Sequence, residues 1–254
     1  MILGWAVSAW TFALTAQPTL YLKPVLSGQF GMYRYDRAIG KSDRFHSGSP
    51  NIELGGGGDL HLKINPKYAL SVGFHINNYG FGYRVDVPNY GRRSGDNSDY
   101  YYSVPLLFHY TFANDVHWVS LDKVHYNYLF VFRLYGVAGL SYNHVRQPGY
   151  YGQLTVTGSP VRITDQEPVV EQWNNLSAYL GVGMQFYNGR KDRFDVRIYL
   201  TRGFGRIAYQ DYRYSFAGEP QVYETRFWSR GSLIAFSVGY PIKLATFKRK
   251  LKLP

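Results

Sequence analysis

Residues 51–64 read NIELGGGGDLHLKI: four glycines, then an acid, a histidine and a lysine at alternate positions. A phosphate-cradling loop would need Gly-Lys-Ser/Thr opening a helix. Here Gly58 is followed by Asp59 and by regular alternation of apolar and polar residues. A period of two is the mark of a half-buried strand. It places Ile52, Leu54, Leu60, Leu62 and Ile64 on one face and Glu53, Asp59, His61 and Lys63 on the other. Asp59, His61 and His75 have the chemistry of a metal cluster, but three such groups on a polar face are unremarkable. No metal, cofactor or catalytic residue is expected. If residues 65–67 close a hairpin with Ile64 opposite Tyr68, Gly57 faces His75, and Asp59 lies diagonal to that histidine.

The same alternation returns along the chain. Leu20, Leu22, Leu26, Phe30 and Met32 form one apolar stripe, and Tyr68, Leu70, Val72, Phe74 and Ile76 another. Further stripes start at Tyr102, Phe130, Leu176, Phe194 and Ile234, giving eight segments in all. None of the apolar faces carries Asp, Glu, Lys or Arg, whereas the opposite faces carry Lys23, Glu53, Asp59, Lys63, Arg133, Asp195, Arg197 and Lys243. On the lipid face of a barrel, Arg or Lys near the midplane costs roughly 2–4 kcal/mol. Connections alternate in length: 65–67 and 188–192 are short, while 36–50, 78–99, 144–172 and 207–231 are long and polar. Short turns on one side and long loops on the other are the outer-membrane pattern. The expected fold is all-β: a closed antiparallel transmembrane β-barrel over residues 17–244, of eight strands with ten as the alternative. Strands that span lipid must close, because an open edge leaves backbone groups unpaired in hydrocarbon. The connection 113–127 is expected to form a small periplasmic element.

Residues 1–16, MILGWAVSAWTFALTA, carry no charge and fit a cleaved signal peptide, which implies export to the bacterial outer membrane. Residues 245–254 form a basic tail. The chain has 28 Lys+Arg against 17 Asp+Glu, a formal +11 that points to anionic partners. No nucleic-acid module is visible, so outer-membrane lipid and lipopolysaccharide are the expected counter-charge, with a surface or periplasmic protein as a further partner of a monomeric barrel. There is no cysteine, which excludes disulfides and thiolate metal sites. Tyr is abundant, 25 among 254 residues, as suits strands and interfacial belts.

The segments DYYYSVPLLFHYTF (99–112), FRLYGVAGLSYN (132–143), LSAYLGVGMQF (176–186), FDVRIYLTRGFGRI (194–207) and LIAFSVGYPIKL (233–244) resemble the small porin-like outer-membrane barrels of Gram-negative bacteria. That group includes the PorT-type barrels and, more distantly, the OmpA and OmpX membrane domains. The resemblance implies the architecture and leaves the function open among adhesins, scaffolds, narrow pores and secretion accessories.

Three sets of residues stand out as candidates. Glu53, Asp59, His61, His75, Arg133 and Arg197 are expected to form a polar network in the lumen, since buried charges need partners. Lys23, Lys63 and Lys243 fall near the short-turn ends of neighbouring strands, as a basic ring at the periplasmic mouth. Tyr83, Arg84, Arg92, Arg93, Tyr212, Arg213 and Trp228 lie in the long stretches, where Tyr, Trp and Arg anchor recognition surfaces. The expected role is a structural or interaction component, surface-binding or secretion-accessory, acting through long outer loops. The alternative is a narrow passive channel for small solutes. A lipid-modifying enzyme is the least favoured reading: Asp115, His117, Ser120, Asp122 and His125 lie on the inner side without a nucleophile signature.

Overall fold

The period-two pattern builds a wall with two unlike faces. The computed structural model describes residues 17–36, 45–47, 52–87, 91–120, 127–146, 161–165, 168–188 and 191–247. Residues 1–16, expected as a signal peptide, and residues 248–254 of the expected basic tail lie outside them. The elements are all strands: β1 (Thr19–Asp36), β2 (Phe45–Ser47), β3 (Ile52–Lys63), β4 (Tyr68–Val87), β5 (Gly91–Ser120), β6 (Asn127–Val145), β7 (Val161–Asp165), β8 (Val169–Val170), β9 (Asn174–Asn188), β10 (Lys191–Gly203), β11 (Ala208–Phe216), β12 (Val222–Gly239) and β13 (Ile242–Thr246). Eight of them close a barrel in the order β1-β3-β4-β5-β6-β9-β10-β12, antiparallel at every step. The seam is β1 against β12, with Val25 beside Gly239 and Phe30 beside Ile234. Pro241 interrupts the last strand, and β13 resumes beside the start of β1.

The outward face is the apolar one. Leu54 is 74% exposed and Leu106 62%, and Leu26, Phe74, Leu140, Leu180 and Phe236 stand out likewise. The inward face carries Ser27, Gln29, Asp59, His75, Ser103, Asn143, Ser177 and Arg197, all buried. An apolar exterior around a polar interior is the inverse of a water-soluble barrel, and it identifies a transmembrane one. Exposed aromatics mark both edges of the band: Tyr142, Trp173 and Phe204 on one side, Tyr110, Phe112, Tyr240 and Phe247 on the other.

Strand β4 shows where the band ends. Up to Asn77 its inward positions are polar (Ser71, His75, Asn77) and its outward ones apolar (Leu70, Val72, Phe74, Ile76). From Tyr79 the pattern inverts. Tyr79, Phe81 and Val85 point inward and are buried, while Gly80, Gly82, Arg84 and Asp86 occupy the other face. The same holds across the barrel, where Ala208, Tyr212, Tyr214 and Phe216 of β11 and Phe227 of β12 join that inner cluster. Beyond the lipid the wall thus continues as a water-facing barrel with an aromatic core.

That continuation gives two of the long outer connections, 78–99 and 207–231, a paired structure of their own. Residues 78–87 and 91–99 are paired strand, with Tyr79 beside Asp99 and Val87 beside Gly91. In the 207–231 stretch, β11 and β12 form a second such hairpin. Glycine, tyrosine and short polar residues looked like loop chemistry, but they alternate against an aromatic interior instead of against lipid. At the inner side, the described part of the connection expected at 113–127 is also strand: β5 and β6 stay paired through several register shifts to Ser120 beside Asn127, and residues 121–126 lie outside the described residues.

Candidate functional site

The turn after β3 fixes the register on which the interior depends. The Asn65 side-chain oxygen accepts from the backbone N–H groups of Lys67 and Tyr68, each at 2.8 Å, and Ile64 N–H donates to the Tyr68 carbonyl. An Asx turn of this kind holds the hairpin in one frame. Gly57 therefore faces His75, as the spacing predicts.

Asp59 and His75 meet at 2.7 Å, and Arg197 Nη2 donates to the other Asp59 oxygen at 3.1 Å. A second knot lies beside it: Lys23 Nζ donates to Asp195 at 3.3 Å, and the Tyr135 hydroxyl donates to both oxygens of the same carboxylate. Two carboxylates thus face two cations, so the buried charge is balanced, as the cost of burying an unpaired ion requires. Arg197 also stands over the rings of Tyr179 and Tyr199, which stack at 4.6 Å.

The glycines make room for this network. A Cβ on Gly73 would run into the Asp59 carboxylate, one on Gly55 into the Gln29 amide, and one on Gly57 into the backbone of Phe74. Gln29 in turn donates to Ser27 and Asn77 and accepts from the backbone N–H of Asn78. Only residues without side chains allow these groups to share so narrow a lumen.

Contacts run in sequence along the axis. At the inner mouth His61 and His109 meet edge to face at 4.8 Å, and His109 lies 5.5 Å from Tyr135. A small cavity of about 20 Å³ opens there among Lys63, His61, His109, Arg133 and Gln185, room for about one water. Above come the two charged knots, then Tyr179 and Tyr199, then Tyr79 and Tyr101. Tyr101 donates to the Gly231 carbonyl on the opposite wall, and Tyr212 reaches the Phe81 carbonyl. Contacts across the lumen, Lys23 to Asp195, Asp59 to Arg197 and Tyr101 to the Gly231 carbonyl, narrow it at mid-barrel and in the outer section.

The expected network is present in part. Asp59, His75 and Arg197 are its centre and His61 lies below them. Glu53 is half-buried beside Gln29, and Arg133 sits at the inner mouth over the Tyr187 ring. Asp195, Tyr135, His109 and Gln29 belong to it as well. Of these, Asp195 was marked only by its place two residues from Arg197 on one face. Of the residues expected as a basic ring, Lys63 and Lys243 flank the start of β1 opposite Thr19 and Tyr21. Lys23, the third, turns inward and is buried against Asp195.

Among the outer candidates, Tyr212 is 1% exposed and faces the interior, where its hydroxyl donates to Gln210. It presents no surface. Arg213 is exposed and paired with Glu224 at 2.7 Å. Arg84 lies opposite His46 of β2. The side chains of Tyr83, Arg92 and Arg93 lie outside the described residues, as do those of Asp115, His117, Ser120, Asp122 and His125. Trp228 points outward yet is 8% exposed, because arginines cover it. Among the described residues no group of three His, Cys, Asp or Glu is placed to hold a metal, and no helix is long and apolar enough to cross a membrane.

No protein-family model matches the chain and no curated protein does, so the PorT-type affiliation gains no support. Among solved structures the chain is similar to the outer membrane protein OprG from Pseudomonas aeruginosa, at 11% identity and a TM-score of 0.41, covering 90% of this chain and 97% of that one. It is similar also to the CymD monoaromatic hydrocarbon channel, at 9% identity and a TM-score of 0.17, covering 95% and 92%. At such distances these likenesses add nothing to the architecture that the strands themselves display.

Proposed function

We propose that the chain is an outer-membrane barrel of the porin-like kind: a narrow passage for water-sized solutes, closed here by the aromatic layer of its outer section. The short inner turns, the aromatic girdles and the apolar band support the membrane assignment. The observation that carries the passage is a file of buried polar atoms with no protein partner. His61 Nδ1, His109 Nδ1, Arg197 Nε and the Tyr179 hydroxyl follow one another from the inner mouth to mid-barrel. Buried donors and acceptors of this sort are satisfied by water. A barrel built only as a scaffold gains nothing from them, since an apolar filling would be at least as stable.

The test is osmotic: proteoliposomes of the full chain are compared with protein-free vesicles for water and small-solute entry. The paired substitution Tyr101→Ala and Tyr212→Ala thins the aromatic layer and is expected to raise the entry rate. Leu106→Ala on the lipid face is expected to leave it unchanged. If the wild type and the thinned variant, both shown folded by heat-modified gel mobility, are as tight as empty vesicles, the barrel is a closed structural element instead.

A further inference from the structure

Where β10, β12 and β1 run side by side, the apolar outer stripes do not fade gradually but stop at arginine. On β1, Met32 is followed on the same face by Arg34; on β10, Leu200 is followed by Arg202. Between them β12 carries a bulge, at which Met32 lies beside Ser232 and Tyr33 beside Ser229. Gly231 occupies this bulge at a φ of 67°, a left-handed conformation suited to glycine. The displaced backbone opens a cleft of about 190 Å³ on the outside of the wall, lined by Met32 and Leu200 below and by Arg34, Arg202, Arg230 and Trp228 above.

The charge in this cleft is one-sided. The guanidinium groups of Arg206, Arg230 and Arg34 lie 4.7, 5.1 and 5.9 Å from the centre of the Trp228 ring. Trp228 orients them by cation–π attraction, but it cannot neutralise them. Among the described residues none of the four arginines has an ion pair. Arg230 Nε, moreover, is buried without an acceptor. Asp211 is held by Arg226 through two hydrogen bonds of 2.7 Å. Like charges crowded on one ring, with a buried donor left over, call for an anion from outside the chain.

The position says which anion. Arg34 and Arg202 stand one step beyond lipid-facing Met32 and Leu200, and exposed Phe204 follows two positions after Arg202. A ligand seated there has its apolar part against the stripe and its charge in the cleft. We propose that this cleft binds the phosphorylated headgroup of an outer-leaflet lipid, its acyl chains lying along Met32, Leu200 and Ile234. Guanidinium forks match phosphate oxygens two by two. The site is on the wall, not on the loop tips, and it stands whether or not the barrel conducts.

The test uses the purified full chain in detergent, with bisphosphorylated lipid A, the same lipid stripped of phosphate, and inorganic phosphate as probes in native mass spectrometry. The wild type is expected to retain one lipid A per barrel. Arg34→Gln with Arg202→Gln is expected to weaken retention about tenfold, as loss of charge-assisted hydrogen bonds implies. Arg34→Lys with Arg202→Lys is expected to fall between the two. Both positions are exposed, and heat-modified mobility confirms folding; Arg206→Gln serves as a second variant if that pair fails to fold. Equal retention by wild type and glutamine variant overturns the proposal, as does equal retention of the stripped lipid. Uptake of inorganic phosphate without lipid A overturns it in favour of a free-anion site.

Discussion

Asp59, 2% exposed, accepts from Arg197 and shares a short contact with His75. Asp59→Ala leaves the Arg197 charge buried and is expected to destabilise the barrel by about 3–5 kcal/mol, read from urea unfolding in lipid vesicles. Gly73→Val probes the same spot from the other side. Its side chain collides with the Asp59 carboxylate, and an overpacking loss of about 1–3 kcal/mol is expected in the same assay. The Asp59–His75 contact was legible in sequence on the condition that residues 65–67 form a three-residue turn, a register that Pro66 left free to shift by two residues. The Lys23–Asp195–Tyr135 knot was not, since alternation assigns a residue to a face but cannot say which facing strand it meets. Lys23 shows the limit: the spacing that suggested the rim also fits a side chain folded inward.

Within one element, β4 carries two contracts with its surroundings. Its even positions meet lipid up to Ile76, and its odd positions meet an aromatic core from Tyr79 onward. Arginine at Val72 is expected to cost about 2–4 kcal/mol, as a charge on the lipid face. Phe81→Ala, only nine positions on, is expected to lose about 3–5 kcal/mol as a cavity in a packed core. Folding titrations into vesicles measure both, and only the first should vary with bilayer thickness. The membrane half of the strand was plain in sequence because Leu, Val, Phe and Ile alternate with small polar residues. The outer half was read as loop because Gly80 and Gly82 are weak strand formers, and because the apolar partners Tyr79 and Phe81 had moved to the other face. A pattern that changes phase halfway is hard to see without its partner strands.

For the molecule as a whole, eight strands, closure and the inverted faces followed from alternation, charge placement and loop asymmetry. The contacts that cross the lumen did not, because whether side chains from facing walls meet depends on the curvature of the wall. The seam gives a global handle. Ser27 of β1 lies beside Ser237 of β12, both inward, and the chain has no cysteine of its own. Ser27→Cys with Ser237→Cys is expected to form a disulfide, since paired strand positions fall within bonding distance. The oxidised barrel should then keep its fast gel mobility after boiling until reductant is added. The seam also orders events in time. Of the eight pairings that make the ring, most join strands that follow closely in sequence, whereas β1 and β12 come from near opposite ends of the described chain. Contacts between such distant residues carry the largest loop-closure entropy and form slowly. Assembly therefore passes through a curved, still open sheet whose two free edges must be shielded, and the rate at which those edges find each other sets the pace of the whole reaction.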